Sequence, residues 1–162
     1  LTKRKSHGEM RIPVILSILF TCIPNTAFPI EIDGRYERAV TIENLESGIE
    51  SAMVNFLEVE TSSQNSIYFV YESWHTNGHV CRLYGTAKKV AHETYEHVQD
   101  NEILSTVNSC KARIYKSGNS IILEDVGESC RVDNCGARGQ IGQSAFPLNS
   151  HKTLGTPVVV PW

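Results

Sequence analysis

Ile67-Tyr-Phe-Val-Tyr-Glu-Ser-Trp74 and His79-Val-Cys-Arg-Leu-Tyr84 are two runs rich in β-branched and aromatic residues, and His75-Thr-Asn-Gly78 lies between them. Residues of these types favour strands. Asn-Gly between two such runs is a strong short-range signal for a hairpin, because both residues tolerate positive φ. This segment therefore predicts two antiparallel strands joined by a turn at Asn77-Gly78.

A second hairpin is predicted in the carboxyl-terminal half. Cys110-Lys-Ala-Arg-Ile-Tyr115 alternates small or apolar residues with charged ones, and Ser120-Ile-Ile-Leu-Glu124 returns after the turn Lys116-Ser117-Gly118-Asn119. Upstream, residues 38–44 and 52–60 are further strand candidates. Since turn signals recur at short intervals, we expect an all-β domain, built as a small antiparallel β-barrel or sandwich.

Two segments are less clear. Residues 87–98 place apolar side chains at helical spacing, but their composition also fits a strand, and the surrounding hairpins favour the strand. Residues 136–146 contain three glycines and end on Phe146, as a final curled strand would. We expect the β-domain to cover residues 28–146 and residues 147–162, with three prolines, to form an extended tail.

The amino-terminal segment predicts export. Met10-Arg11 precedes twelve mostly apolar residues, Ile12–Ile23, and Pro24-Asn-Thr-Ala27 follows. Twelve helical residues span about 18 Å, too short for a bilayer core but typical of a signal peptide, with cleavage expected near Ala27. Residues 1–9 are then an upstream extension. The alternatives are a buried helix or strand, or a lipoprotein anchored at Cys22.

Charge and cysteine content fit a secreted protein. Without residues 1–27 the chain holds 11 basic and 17 acidic residues, a net charge of −6, which favours basic partners and disfavours nucleic acid. The four remaining cysteines allow three disulfide pairings. Cys130 and Cys135 flank a short polar loop, so we expect them to pair, which leaves Cys81 with Cys110. A zinc site is the alternative, but no paired Cys-x-x-Cys is present.

No catalytic motif is complete, and we expect the protein not to be an enzyme. His92 and His97 are five residues apart, whereas the zinc-protease helix needs four, and on a strand they lie on opposite faces. His75 and His79 could hold a metal weakly across a hairpin mouth. The carboxylates Glu124, Asp125 and Glu128 share one turn, which we expect to be solvated, whereas glycosidases need two facing each other across a cleft. No cofactor is expected.

Cys110–Ile114, Ile121–Asp125 and Cys130–Gly139, followed by Phe146, resemble small exported bacterial β-proteins grouped with lysozyme inhibitors. His79–Gly85 fits the strand that carries the other half of the first disulfide. The resemblance covers about residues 67–146. It implies a compact barrel in which a Ser-Gly loop enters the cleft of the enzyme.

The resemblance leaves two candidates for that loop. Lys116-Ser117-Gly118 is the first, and Glu46-Ser47-Gly48 is the other; neither has the fuller Ser-Gly-x-x-Tyr pattern. Lys116 could reach a catalytic carboxylate. We expect Arg138 to join the first tip if the turn after Cys135 folds back.

The sequence thus predicts a periplasmic or secreted binding protein. Its expected partner is lysozyme or another peptidoglycan hydrolase, and an immunity protein against a wall-degrading toxin belongs to the same class. A cationic lysozyme suits an acidic inhibitor, because complementary charge speeds association. A small-ligand carrier with a cavity inside the barrel is the alternative. A metal-dependent hydrolase is a weaker one.

Overall fold

The computed structural model describes residues 32–99 and 109–154. They form one eight-stranded antiparallel sheet in which every strand pairs with the next along the chain. The strands are β1 (Gly34–Glu43), β2 (Glu50–Ser63), β3 (Ser66–His75), β4 (His79–Ala91), β5 (Thr94–Gln99), β6 (Cys110–Ser117), β7 (Ser120–Asp125) and β8 (Gln143–Pro147). One helical turn, α1 (Arg131–Asn134), lies between β7 and β8. The all-β prediction is confirmed, and the predicted signal peptide lies outside the described residues.

The sheet curls into a nearly closed barrel, which settles the choice between barrel and sandwich. After β8, a 3₁₀ turn (Leu148–Ser150) brings Lys152 beside Arg35 of β1, and their backbones exchange two hydrogen bonds of 2.9 and 2.8 Å. The Glu37 amide donates to Ser150 Oγ at 3.0 Å. The chain therefore continues the barrel beyond Phe146, where the tail was expected to begin.

Side chains fill the barrel interior. Along β3, Ile67, Phe69 and Tyr71 are buried, while Tyr68 and Val70 between them face outward and are half-buried. This is the period of two that a strand imposes. The largest fully buried side chains are Tyr36, Tyr71, Phe69, Phe146, Leu57, Ile67, Leu83, Ile114, Ile121, Leu123, Val59 and Cys81.

Both predicted hairpins are confirmed. β3 and β4 are joined by a 3₁₀ turn (Thr76–Gly78), in which Asn77 and Gly78 have φ of 61° and 70°. β6 and β7 are joined by Gly118-Asn119, with φ of 56° at Gly118. Because each strand reverses the last, successive connections alternate between the ends of the barrel. We call the end with the β1–β2, β3–β4 and β7–β8 connections the disulfide end, and the other the turn end.

Residues 87–98 are extended, as favoured over a helix, but they belong to two strands. A tight turn at His92-Glu93, with φ of 55° at Glu93, separates β4 from β5. The expectation of one strand across residues 136–146 is wrong, since β8 starts only at Gln143. Residues 136–142 instead run as a loop whose Gly136 amide donates to the Val80 carbonyl at 3.0 Å.

The predicted disulfide pairing is wrong. Cys81 bonds to Cys135 and Cys110 bonds to Cys130. The segment between Cys130 and Cys135, expected to be a simple loop, contains α1, and its two ends face different strands. β4 pairs with β5 only from Lys88 onward, so the first part of β4 lacks a described strand neighbour on that side. The two disulfides attach the α1 segment at this place, to β4 through Cys135 and to β6 through Cys130.

Candidate functional site

The two Ser-Gly turns lie at opposite ends of the barrel. Ser117-Gly118 is at the turn end, and both residues are exposed, whereas Lys116 is half-buried. The carbonyl of Asn119 accepts a 2.9 Å hydrogen bond from the Leu148 amide, so the segment that closes the barrel braces this tip. It is a short, two-residue turn held against its neighbour.

Arg138 is not near this tip. The loop after Cys135 follows β4, and Gly139 packs so closely on Cys81 that an added Cβ would lie 2.8 Å from its Sγ atom. Arg138 is therefore exposed at the disulfide end. The eight residues of β6, about 25 Å of strand, separate that end from Ser117. The turn after Cys135 does not fold back onto the tip, and the four predicted contact residues do not form one surface.

The other Ser-Gly turn caps a long hairpin. β2 pairs with β3 from Phe56 to Ser63. Toward the disulfide end, residues 39–54 of β1 and β2 pair only with each other. We call residues 39–54 the β1–β2 arm. Its tip is ordered, because Asn44 Oδ1 accepts from the amides of Glu46 (3.0 Å) and Ser47 (3.1 Å). The Leu45 amide donates to Asn77 Oδ1 at 2.7 Å, which ties the arm to the β3–β4 turn.

The tip of the arm carries both apolar and acidic side chains that are exposed. Leu45 is 58% exposed and Ile49 is 62% exposed. Glu43, Glu46 and Glu50 are also exposed, and the sequence has no Lys or Arg between Arg38 and Arg82. A surface of this kind fits a partner with a cationic rim around an apolar centre.

His75 and His79 face each other as cross-strand partners at the disulfide end. His75 Nε2 lies 2.9 Å from Ser73 Oγ, and burial lowers the pKa of His75, with His79 and Arg38 adding to the effect. Across residues 32–99 and 109–154, no group of three or more His, Cys, Asp and Glu side chains is placed to hold a metal. Its surroundings therefore favour the neutral form of His75.

An ionic network crosses the outer face of β1 and β2 at the turn end. Arg35 donates from Nη1 to Glu58 Oε1 and from Nε to Glu37 Oε1, the latter at 2.7 Å, and its guanidinium lies 3.7 Å from the centre of the Phe56 ring. Lys152 donates to Glu37 Oε2. Hydrogen bonds from Lys152 and Arg35 lower the pKa of Glu37. This network fastens the segment that closes the barrel.

A small pocket adjoins this network. It is lined by Glu58, Val59, Glu60, Tyr68, Val70 and Leu154 and has a volume of about 10 Å³. Burial raises the pKa of Tyr68, and Tyr84 adds to the effect. These residues do not stand out in the sequence, because alternating Glu58 and Glu60 predict an ordinary solvated strand face. The absence of any basic residue between Arg38 and Arg82 is the signal that could have pointed to this region.

Asp125, which ends β7, was expected to be a solvated turn carboxylate but is buried. Its Oδ1 accepts from the Cys130 amide at 3.0 Å and from Ser129 Oγ at 3.4 Å, while its buried Oδ2 has no hydrogen-bond partner among the described residues. Burial raises the pKa of Asp125, against the hydrogen bonds from Cys130 and Ser129. The folded state therefore holds this proton to a higher pH than the unfolded chain does.

We expect Asp125→Asn to reveal this buried acid. Because the folded pKa is raised, Asp125 should reduce the free energy of unfolding as pH rises from the unfolded value, about 3.9, through the folded one. Asn keeps an acceptor for the Cys130 amide and does not ionise. The stability of the variant relative to the native protein should thus increase with pH, as measured by urea unfolding between about pH 3.5 and pH 8. A difference that does not change with pH would contradict the raised pKa.

No helix within the described parts of the chain is long and apolar enough to span a membrane. A scan against models of protein families, a search of curated proteins and a search of solved structures each find no match to this chain.

Proposed function

We propose that the chain is an exported binding protein that inhibits a cationic peptidoglycan hydrolase, such as a lysozyme, by inserting a hairpin tip into its cleft. The observation that carries the proposal is the β1–β2 arm, which continues beyond the last pair of β2 with β3, Phe56 with Glu72, and ends in the exposed turn Glu46-Ser47-Gly48. A Ser-Gly turn is small enough to approach a saccharide cleft closely, since glycine has no side chain.

The build of the barrel supports surface binding over the carrier alternative. Large aromatic and aliphatic side chains, such as Tyr71, Phe69 and Phe146, are fully buried in its interior. A carrier needs an apolar hollow of a few hundred Å³. The two disulfides support export, because such bonds persist in oxidising compartments such as the periplasm.

The ordered tip of the arm supports it as the inserted loop. Asn44 Oδ1 fixes the turn before any partner binds, which lowers the entropy cost of association. Leu45 and Ile49 provide apolar contact, and the three glutamates attract a cationic rim. The braced tip at Lys116-Ser117-Gly118 is the second candidate, with Lys116 available to a catalytic carboxylate. An immunity protein against a wall-degrading toxin would use the same surface.

We expect Leu45→Ser combined with Ile49→Ser to weaken binding to the hydrolase at least tenfold, about 1.4 kcal/mol. Both side chains are exposed, so stability should change by no more than about 0.5 kcal/mol per site. Binding is measured by titration calorimetry against a panel of cationic lysozymes and bacterial lytic enzymes at two salt concentrations.

Lys116→Ala combined with Ser117→Ala is the matched variant at the other tip. If it weakens binding and the arm variant does not, the inserted loop is the β6–β7 turn and the arm is excluded. If the native protein binds no enzyme in the panel, inhibition itself is overturned and the carrier alternative gains.

A further inference from the structure

Glu58 lines the pocket on the outer face of β2 and β3, and one of its carboxylate oxygens is buried without a hydrogen-bond partner among the described residues. Glu58 lies between Arg35 on β1 and Val70 on β3, its neighbours in register, and is 7% exposed. Arg35 occupies its Oε1 atom, whereas Oε2 is buried and has no hydrogen-bond partner among the described residues. An unpaired buried carboxylate oxygen is unfavourable, so a hydrogen-bond donor is expected in the pocket.

The pocket also has a second acid and two apolar side chains. Glu60 follows two residues later on the same face of β2, opposite Tyr68 in register, and makes no ion pair within the described residues. Val70 and Leu154 also line the pocket. Together with the adjoining network, the three carboxylates Glu37, Glu58 and Glu60 outnumber the two cations Arg35 and Lys152 by one, so this part of the surface has a net negative charge.

The pocket is partly open to solvent, and its closed part is small. A volume of about 10 Å³ holds one group the size of a water molecule. An ammonium group is that compact and carries three donors, whereas a guanidinium is a larger plane with five. The apolar side chains Val70 and Leu154 can contact the carbon chain that bears the ammonium.

We infer that this pocket binds a primary ammonium group through Glu58 and Glu60. The site lies on the sheet face at the turn end, away from the tip of the β1–β2 arm, so it goes beyond the proposed function and does not depend on it. The same chemistry occurs in a lysine side chain of a protein partner and in a free small amine.

The test is an NMR titration of the intact protein, with backbone amides followed as n-butylammonium chloride is added at constant ionic strength. We expect saturable shifts at Val59, Val70 and Leu154 with a dissociation constant of about 10 mM, which is the weak binding that so small a ligand can give. Butylguanidinium should bind at least fivefold more weakly, and n-butanol should give no saturable shift. If no probe saturates, the pocket holds only water and the inference is overturned. Equal binding of the guanidinium overturns it too.

Two variants locate the interaction. Glu60→Gln should weaken butylammonium binding at least fivefold, whereas Glu50→Gln, the same change of charge on the same strand but in the arm, should leave it unchanged. Glu58→Gln should abolish binding, but it also breaks the Arg35 ion pair, so Glu60 is the decisive position. If Glu60→Gln and Glu50→Gln weaken butylammonium binding equally, the effect comes from the net charge of the protein, and the proposed site is overturned.

The source of the ammonium is tested with a capped Gly-Lys-Gly peptide. Tighter binding of the peptide than of butylammonium identifies a protein lysine, and equal or weaker binding identifies a free amine; either result upholds the pocket. Because these probes contain no hydrolase, the pocket can stand when hydrolase binding fails, and the two proposals are separable.

Discussion

Replacing Cys81 and Cys135 together by alanine is expected to reduce the free energy of unfolding by about 4 kcal/mol. The bond joins residues 54 apart in sequence, and in the chain-entropy model a loop of that length confers stabilisation of this size. It also fixes the α1 segment against the part of β4 that has no described partner on β5. The melting temperature should fall by roughly 10 to 20 °C for a domain of this size, measured by calorimetry at neutral pH.

The second disulfide supplies the control. Cys110–Cys130 spans 20 residues, so its removal should cost less, about 3 kcal/mol. Peptide mapping under non-reducing conditions must first show Cys81 with Cys135. A Cys81–Cys110 bond in the native protein would contradict the structure. A larger loss on removing Cys110–Cys130 would show that loop length does not set the difference.

The β3–β4 and β6–β7 hairpins were predictable from local chemistry. Asn77-Gly78 and Gly118 need positive φ, and alternation such as that of β3 assigns each side chain to one face. These signals lie within a few residues of each other, so they do not depend on the rest of the fold. The sheet becomes a barrel only because β1 contacts the segment after β8. No local sequence pattern predicts that contact.

The disulfide pairing was not predictable in this way. The proximity of Cys130 and Cys135 in sequence suggested a local bond, but α1 turns their side chains toward different strands. What decides the pairing is the first part of β4, which has no strand neighbour on that side among the described residues because β5 pairs with only the last part of β4. That is a property of the whole sheet, and sequence spacing does not contain it.

The candidate site was predictable only in part. The sequence contains both Ser-Gly turns, but it does not show that the β1–β2 arm continues beyond the last β2–β3 pair or that Leu148 braces the other tip. It also places Glu58 on the outer face of a strand, where a carboxylate is ordinarily solvated. Arg35, Val70 and Leu154 converge on it from β1, β3 and the end of the described chain, and only their convergence buries it.

Gly85→Ala is expected to destabilise the protein by about 3 to 5 kcal/mol. Gly85 has φ of 151°, a conformation that other residues adopt only with strain of about 1 to 3 kcal/mol. An added Cβ would lie 2.5 Å from Cε1 of His97, and overpacking a buried site costs about 1 to 3 kcal/mol more. His97 cannot move aside, because its Nδ1 donates to the Thr86 carbonyl at 2.9 Å and its ring packs edge-on against Phe69. Urea unfolding measures the loss.

Two comparisons separate the backbone strain from the clash. Gly48→Ala, at φ of 65° with no atom within 4 Å of the added Cβ, should cost only the strain, about 1 kcal/mol. Combining Gly85→Ala with His97→Ala removes the ring that the new Cβ meets, so the double variant should be more stable than the sum of the two single losses predicts. If Gly85→Ala alone is too unstable to purify, recovery of folded protein in the double variant carries the same information. Two results would contradict this explanation: losses of stability that simply add in the double variant, or a loss at Gly85 no larger than that at Gly48. Either would show that β5 can shift to make room. The contact of His97 with β4 would then not be what limits residue 85 to glycine.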